Sequence, residues 1–282
     1  MQPSRISASS YSNTAPLIWS FLYGSNHGKV ELVLDNAPAR SAEMLMQDRV
    51  DAALVPVIAS QFIEGVRLIP GVCVGAKEKV RSVCLITNGA DLDDVRSVAL
   101  DASSQTSVFL TKILFREFLE SEPEWRVAEP DIDAMLAESD AALLIGDPAL
   151  ALSVPGAIAT GDLIDAKNPP AYAGGSSLRA FDLAEIWHSY TGLGFVFAMW
   201  MTRRETCPID FAAARDEGLA HLEEIAANYQ TEIPIGRENL IEYLSENVSY
   251  SIDDSMKKGM ELYFELAKKN GLLSENRPLV FV

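Results

Sequence analysis

Leu100-Asp101-Ala102-Ser103-Ser104-Gln105-Thr106-Ser107 stands between a short β-rich run, Ser97 to Leu100, and a segment carrying Val108, Leu110, Ile113, Leu114 and Phe118 at helical intervals. Five consecutive polar side chains just ahead of an amphipathic helix mark its start, so the stretch reads as a strand-to-helix turn. The same pattern recurs outward in both directions. Further strands are expected at Arg5 to Ser9, Lys29 to Leu34, Ala52 to Val55, Ser82 to Thr87 and Ala141 to Ile145. Helices are expected between them: one with Thr14 as N-cap, Pro16 in its first turn and Gly24 beyond its end, and one near Ser41 to Gln47. Short strands alternating with helices are the pattern of βαβ units around mostly parallel sheets, and hence of an α/β protein. At Gly146-Asp147-Pro148 the aspartate is placed to cap a further helix with Pro148 in its first position.

The last third changes character. Asp210 to Tyr229, Arg237 to Asn247 and Asp253 to Asn270 read as helices, the last with Met256, Met260, Tyr263, Phe264 and Ala267 on its inner face and Gly271 as its stop. Asn168 to Gly175, rich in proline and glycine, reads as a loop, either a cover over a site or a surface excursion.

The chain has 282 residues, enough for two compact units or one large one. Forty acidic against twenty-three basic residues give a net charge of −17, a field that repels phosphate backbones and anionic membranes, so nucleic acid is a poor partner. The longest apolar runs, Ala52 to Ala59 and Gly194 to Met201, are short of the ~20 residues a spanning helix needs. Met1 to Ser7 lacks a secretory pattern, so no membrane association and a cytoplasmic location are expected. Cys73, Cys84 and Cys207 are odd in number and unrelated in spacing, which points to buried thiols rather than a disulfide frame or redox pair.

Standard catalytic signatures are absent. His27, His188 and His221 form no metal-binding pair, no carboxylate cluster has a ligand interval, and GxSxG, GxxxxGK[ST] and GxGxxG do not occur. Neither a metal nor a cofactor is expected. What remains is a set of small polar residues where strands give way to helices: Asn13, Ser82, Ser103 to Ser107 and Gly146-Asp147. In open parallel sheets ligands bind at the carboxyl ends of strands, where free N–H groups of a helix start favour a carboxylate. The Ser103 to Ser107 turn is therefore either an anion site or a plain N-cap with surplus hydroxyls. Asn13 taken alone reads as a turn residue, Asp147 as a helix cap and Asp101 as a brace for the following turn. Lys77, Lys79 and Arg81 read as a solvated basic run, with steering of an anion as the other reading.

Several segments taken together resemble the chorismate dehydratases of the futalosine route to menaquinone. They are Asn13-Thr14-Ala15-Pro16-Leu17, Asp51-Ala52-Ala53-Leu54-Val55, Val80-Arg81-Ser82-Val83, Leu100 to Ser107, Asp140 to Asp147 and Thr191-Gly192-Leu193-Gly194-Phe195-Val196-Phe197-Ala198. The likeness covers about residues 4 to 201. One departure is visible: Gly194 stands where the family pattern has proline, which is expected to loosen that turn.

The resemblance implies a two-lobed fold like that of the type II periplasmic binding proteins, with two crossover hinge strands and a helical C-terminus. One lobe would comprise residues 1–84 plus 197–282 and the other 85–196, with Ser82 to Thr87 and Phe195 to Trp200 as hinges. It implies a lyase that removes water from chorismate, a small dicarboxylate, to give 3-[(1-carboxyvinyl)oxy]benzoate, with Asn13 and Ser82 at the reacting centre. Substrate carboxylates would be held by Ser103, Ser104, Gln105, Thr106, Ser107, Gly146 and Asp147. Neither Asn13 nor Ser82 is basic enough at neutral pH to take a carbon-bound proton, and the matched segments offer no well-placed histidine, lysine or glutamate, so the substrate's own enolpyruvyl carboxylate is the expected base. Competing expectations are the related dihydroxynaphthoate-forming enzyme of the same route, a non-catalytic small-anion binding protein of the same fold, and an α/β protein whose polar turns are only caps.

Overall fold

The computed structural model describes residues 3–153, 158–159, 162–163, 171–172 and 176–282; the expected loop at 168–175 falls largely outside them. Two five-stranded sheets organise the chain. The first contains β1 (Ser4–Ser9), β2 (Val30–Asp35), β3 (Ala52–Pro56) and β4 (Arg67–Ala76). The second contains β5 (Val83–Thr87), β6 (Ser97–Asp101), β7 (Glu124–Ala128), β8 (Ala141–Ile145) and β9 (Arg179–Asp182). The chain then returns to the first sheet as β10 (Phe195–Thr202). Their orders are β2-β1-β3-β10-β4 and β9-β5-β8-β6-β7. Ile158–Ala159 with Asp162–Leu163, and Ala171–Tyr172 with Ser176–Ser177, form two short ribbons.

The sheets are mixed rather than purely parallel. β1 runs parallel to β2 and β3, whereas β10 is antiparallel to both β3 and β4. In the second sheet β6 is parallel to β7 and β8, whereas β5 is antiparallel to β8 and β9. β5 and β10 are the two strands that follow a passage between sheets. The expected hinge strands therefore each lie within a single sheet, and the crossings occur in the turns before them, at 77–82 and 192–194. Those turns have the backbone for it: Arg81 (φ 65°) and Gly192 (φ 68°) both adopt left-handed conformations.

β3, β5 and β8 are buried along their whole length. That accounts for their continuous apolar sequences, since a strand covered on both faces has no solvent side to alternate with. Helices α1 (Ala15–Leu22), α2 (Pro38–Met46), α3 (Thr106–Glu117), α4 (Ile132–Glu138), α5 (Gly146–Ser153) and α6 (Leu183–Thr191) connect the strands. α7 (Phe211–Leu219), α8 (Leu222–Tyr229), α9 (Arg237–Glu242) and α10 (Asp254–Lys269) complete the chain, so the helix expected over Asp210 to Tyr229 is divided in two.

α10 buries Met256, Met260, Tyr263, Phe264 and Ala267, the face its periodicity predicts. Burial of side chains this size contributes roughly 1.5–3 kcal/mol each. The helix bridges the two halves: its apolar face joins a core containing Val55 and Phe195 of the first sheet and Leu85 and Leu143 of the second. The Tyr263 hydroxyl donates to the Thr106 carbonyl at the start of α3, 3.0 Å away.

Gly194 reverses its expectation. The turn is tight, not loose: the Gly194 N–H donates to Ser255 Oγ at 3.0 Å, a bond proline lacks the hydrogen to make. A Cβ at Gly194 would lie 2.7 Å from Met256 Cγ, so α10 packs directly on this crossing.

Candidate active site

The carboxyl ends of β1, β3, β6 and β8 converge on one cleft between the sheets, floored by Leu54, Val74, Phe197 and Ala198. It is a narrow cleft that encloses about 540 Å³, counting solvent at its mouth.

On the first-sheet side, Ser9 to Thr14 supplies the wall. The Thr14 hydroxyl does not cap its helix as expected; it donates back to the carbonyls of Ser9 (2.6 Å) and Tyr11 (2.8 Å). That closes a tight turn over Ser12–Thr14, which projects Asn13 into the cleft. Opposite, Ser104, Thr106 and Ser107 line the cleft at the start of α3, where the first N–H groups of a helix lack internal partners. Thr106 Oγ1 accepts the Ile58 N–H at 3.3 Å, and Ser104 and Ser107 are buried. Gly146 completes this wall. It is left-handed (φ 66°), and a Cβ there would sit 2.7 Å from the Tyr11 ring. Glycine is thus what allows Tyr11, from the other half, to lie against the end of β8.

Asn13, Ser104, Thr106, Ser107 and Gly146 therefore share one cavity. Ser103, Gln105, Asp147 and Ser82 do not line it. Ser103 donates its N–H (2.8 Å) and hydroxyl (2.6 Å) to Asp101 Oδ1, the brace expected of Asp101, whose carboxyl pKa is raised by burial. Asp147 accepts from outside its own helix: the Ser12 N–H reaches both carboxylate oxygens at 3.1 Å and the Ser12 hydroxyl donates to Oδ1 at 2.5 Å. Burial raises the Asp147 pKa to about 6, with the Ser12 bonds opposing the shift. Ser82 is wholly buried behind the wall; its carbonyl accepts the Gly146 N–H at 2.8 Å.

The basic run is split. Lys79 pairs with Glu185 at the surface, whereas the Arg81 guanidinium is buried and donates to Asn247 Oδ1 at 3.0 Å. Cys84 is fully enclosed, with its thiol pKa pushed up by burial. His188 faces the Leu193 carbonyl, outside the cleft. Among the described residues no three His, Cys, Asp or Glu side chains gather as metal ligands, and no acidic, basic or histidine side chain lines the cleft. A carboxylate there meets hydroxyls, an amide and a helix start, which favour an anion by fixed dipoles. Sequence reading passed over Tyr11 and Ser12, which precede Asn13 and carry no motif of their own.

A family model described as menaquinone biosynthesis matches residues 4–269. The chain belongs to this menaquinone biosynthesis family. A relative named chorismate dehydratase, from Thermus thermophilus, is 29% identical over 281 residues, covering 94% of this chain and 95% of the relative. Among solved structures, protein AF1704 from Archaeoglobus fulgidus superposes with a TM-score of 0.71 at 16% identity, covering 96% of this chain and 98% of that one. The periplasmic aliphatic sulphonate binding protein SsuA from Escherichia coli gives 0.64 at 14% identity, covering 100% and 94%. The fold is thus the two-lobed α/β type of the periplasmic binding proteins, here in a menaquinone biosynthesis family member. Among the described residues no helix is long and apolar enough to cross a membrane.

Proposed function

We propose that this protein is a carbon–oxygen lyase that eliminates water from chorismate, giving 3-[(1-carboxyvinyl)oxy]benzoate. The observation that carries the proposal is the opposition of Asn13 and the Ser104–Ser107 helix start across one narrow cleft, in a chain of the menaquinone biosynthesis family. The name of the Thermus relative supports the choice of substrate.

The reaction asks little acid–base strength of the protein. The proton on ring C3 is vinylogous to the ring carboxylate, so its loss yields a delocalised dienolate. Departure of the C4 hydroxyl then makes the ring aromatic, and the proton and hydroxide leave together as water. The protein has to hold a dianion in one pose, stabilise developing charge with donors already in place, and exclude water. Ser104, Thr106, Ser107 and the first N–H groups of α3 hold a substrate carboxylate. Asn13 donates to the departing hydroxyl or the developing oxyanion, and Ser82 orients the centre from behind it. The substrate's enolpyruvyl carboxylate takes the C3 proton, a role supported by the cleft's lack of a histidine, lysine or carboxylate among its described lining.

The test is incubation of the purified protein with chorismate, with mass spectrometry following loss of one water. Asn13→Ala is expected to lower turnover by about a hundredfold, the scale seen on removing one oxyanion donor. Near-normal turnover in that variant refutes the role of Asn13. The binding-protein neighbours favour a second reading, capture of a small anion without chemistry; chorismate bound and recovered unchanged would establish it.

A further inference from the structure

Behind Asn13 and Ser82 lies a group that the reading above does not use. α9 continues into a π-helical turn, Tyr243–Asn247. Such turns recur at functional sites, because the extra residue displaces a side chain from the helical ladder. The turn grips the site at two points. Asn247 Oδ1 accepts from the buried Arg81 guanidinium at 3.0 Å, and Arg81 holds the left-handed conformation (φ 65°) that immediately precedes Ser82. The Asp182 carboxylate secures the same turn by accepting the N–H groups of Val80 (3.0 Å) and Arg81 (2.5 Å).

At the second point the phenol of Tyr243, 0% exposed, has the Ser82 hydroxyl and the Asn13 amide as polar neighbours. Among the described residues neither the Tyr243 hydroxyl nor the Ser82 hydroxyl, though buried, makes a hydrogen bond. An unpaired buried hydroxyl costs stability, and phenylalanine would fill the same space without that cost. Burial also holds the phenol pKa far above its ordinary value, so it stays a neutral donor at any working pH.

The hydrogen-bond inventory sets the direction. Asn13 can serve a departing hydroxyl or oxyanion only if its NH2 group faces the cleft, which turns its carbonyl oxygen inward to require a donor. We propose that Tyr243 is a positioning residue whose hydroxyl donates to Asn13 Oδ1 and accepts from the Ser82 hydroxyl, fixing the amide with its NH2 group toward the substrate. This rests on the role given to Asn13 above.

Tyr243→Phe in the full chain tests it, with two readouts. In chorismate turnover, kcat is expected to fall about tenfold or more, the scale of a misplaced catalytic group, with KM within about threefold. The same substitution in an Asn13→Ala background should then cost little, because the two residues act as one unit. A kcat within twofold of the parent overturns the proposal. The second readout needs no turnover: the Asn13 side-chain amide signals in a 15N–1H spectrum, assigned by their loss in Asn13→Ala, should shift in Tyr243→Phe. If the parent leaves chorismate unchanged, the substrate reading fails by itself; shifted amide signals then still sustain the Tyr243 contact and unmoved signals refute it. Should Tyr243→Phe not fold, 3-fluorotyrosine at position 243, a stronger donor of nearly the same shape, must move the same signals.

Discussion

Ser12→Ala is the sharpest probe of how the cleft closes. Ser12 sits on the first-sheet side and Asp147 on the second, so their three bonds exist only while the halves are together. The substitution removes the shortest, the 2.5 Å hydroxyl donation, and leaves the two 3.1 Å contacts from the backbone N–H. A hydrogen bond to a charged group is worth about 1.5–3 kcal/mol, and Asp147 is only partly exposed, so solvent offsets little of the loss. Because the open form never had the bond, the whole loss falls on the closed form. At about 1.4 kcal/mol per decade, the closed-to-open ratio drops roughly 10- to 100-fold. Apparent affinity falls with the competent fraction, so KM for chorismate is expected to rise by up to that factor where the open form dominates, and the radius of gyration from small-angle scattering to grow where the closed form does. Unchanged KM together with unchanged scattering would refute the latch.

Two further outcomes follow from the geometry. Asp147 titrates near 6 in the folded chain against an ordinary 3.8. Its ionised form is thus penalised on folding, and stability declines as pH rises from about 4 to 6, by at most about 3 kcal/mol. Asp147→Asn should remove that slope, so the variant gains on the parent between pH 4 and 7 in thermal melts; a flat difference over that range contradicts the assignment. At Gly259 a Cβ would lie 1.9 Å from the Gly194 carbonyl oxygen. Overpacking of about 1–3 kcal/mol then opposes the ~1 kcal/mol helix-propensity gain of alanine. The steric term involves backbone and should win, lowering the melting temperature of Gly259→Ala by a few degrees; an unchanged or raised value would show that α10 can shift freely.

Local signals were legible in the sequence, and they were the ones with a short physical range. Ala141–Ile145 reads as a strand and is one, residue for residue, because a buried strand needs an unbroken apolar run. The inner face of α10 follows from spacing alone, and its start follows from Asp253, whose side chain accepts the Met256 N–H at 2.8 Å. β4 was missed because Pro70-Gly71 interrupts it; as the edge of its sheet it tolerates a proline that a central strand would not. Asp147 looked like a cap because Pro148 follows it, yet its partner is Ser12, 135 positions away.

Capping, periodicity and turn chemistry act over a few residues, so the sequence by itself determined the alternation of strands and helices, the buried face of α10 and the polar start of α3. Which polar ends would meet was decided by the tertiary structure. Asn13 faces Ser104 and Ser107 because two sheets point their carboxyl ends at one another. Asn247 meets Arg81, just ahead of Ser82, because a C-terminal turn folds back onto that crossing. Those encounters depend on burying apolar faces from distant parts of the chain against each other, an energy summed over the whole core and carried by no local run of residues.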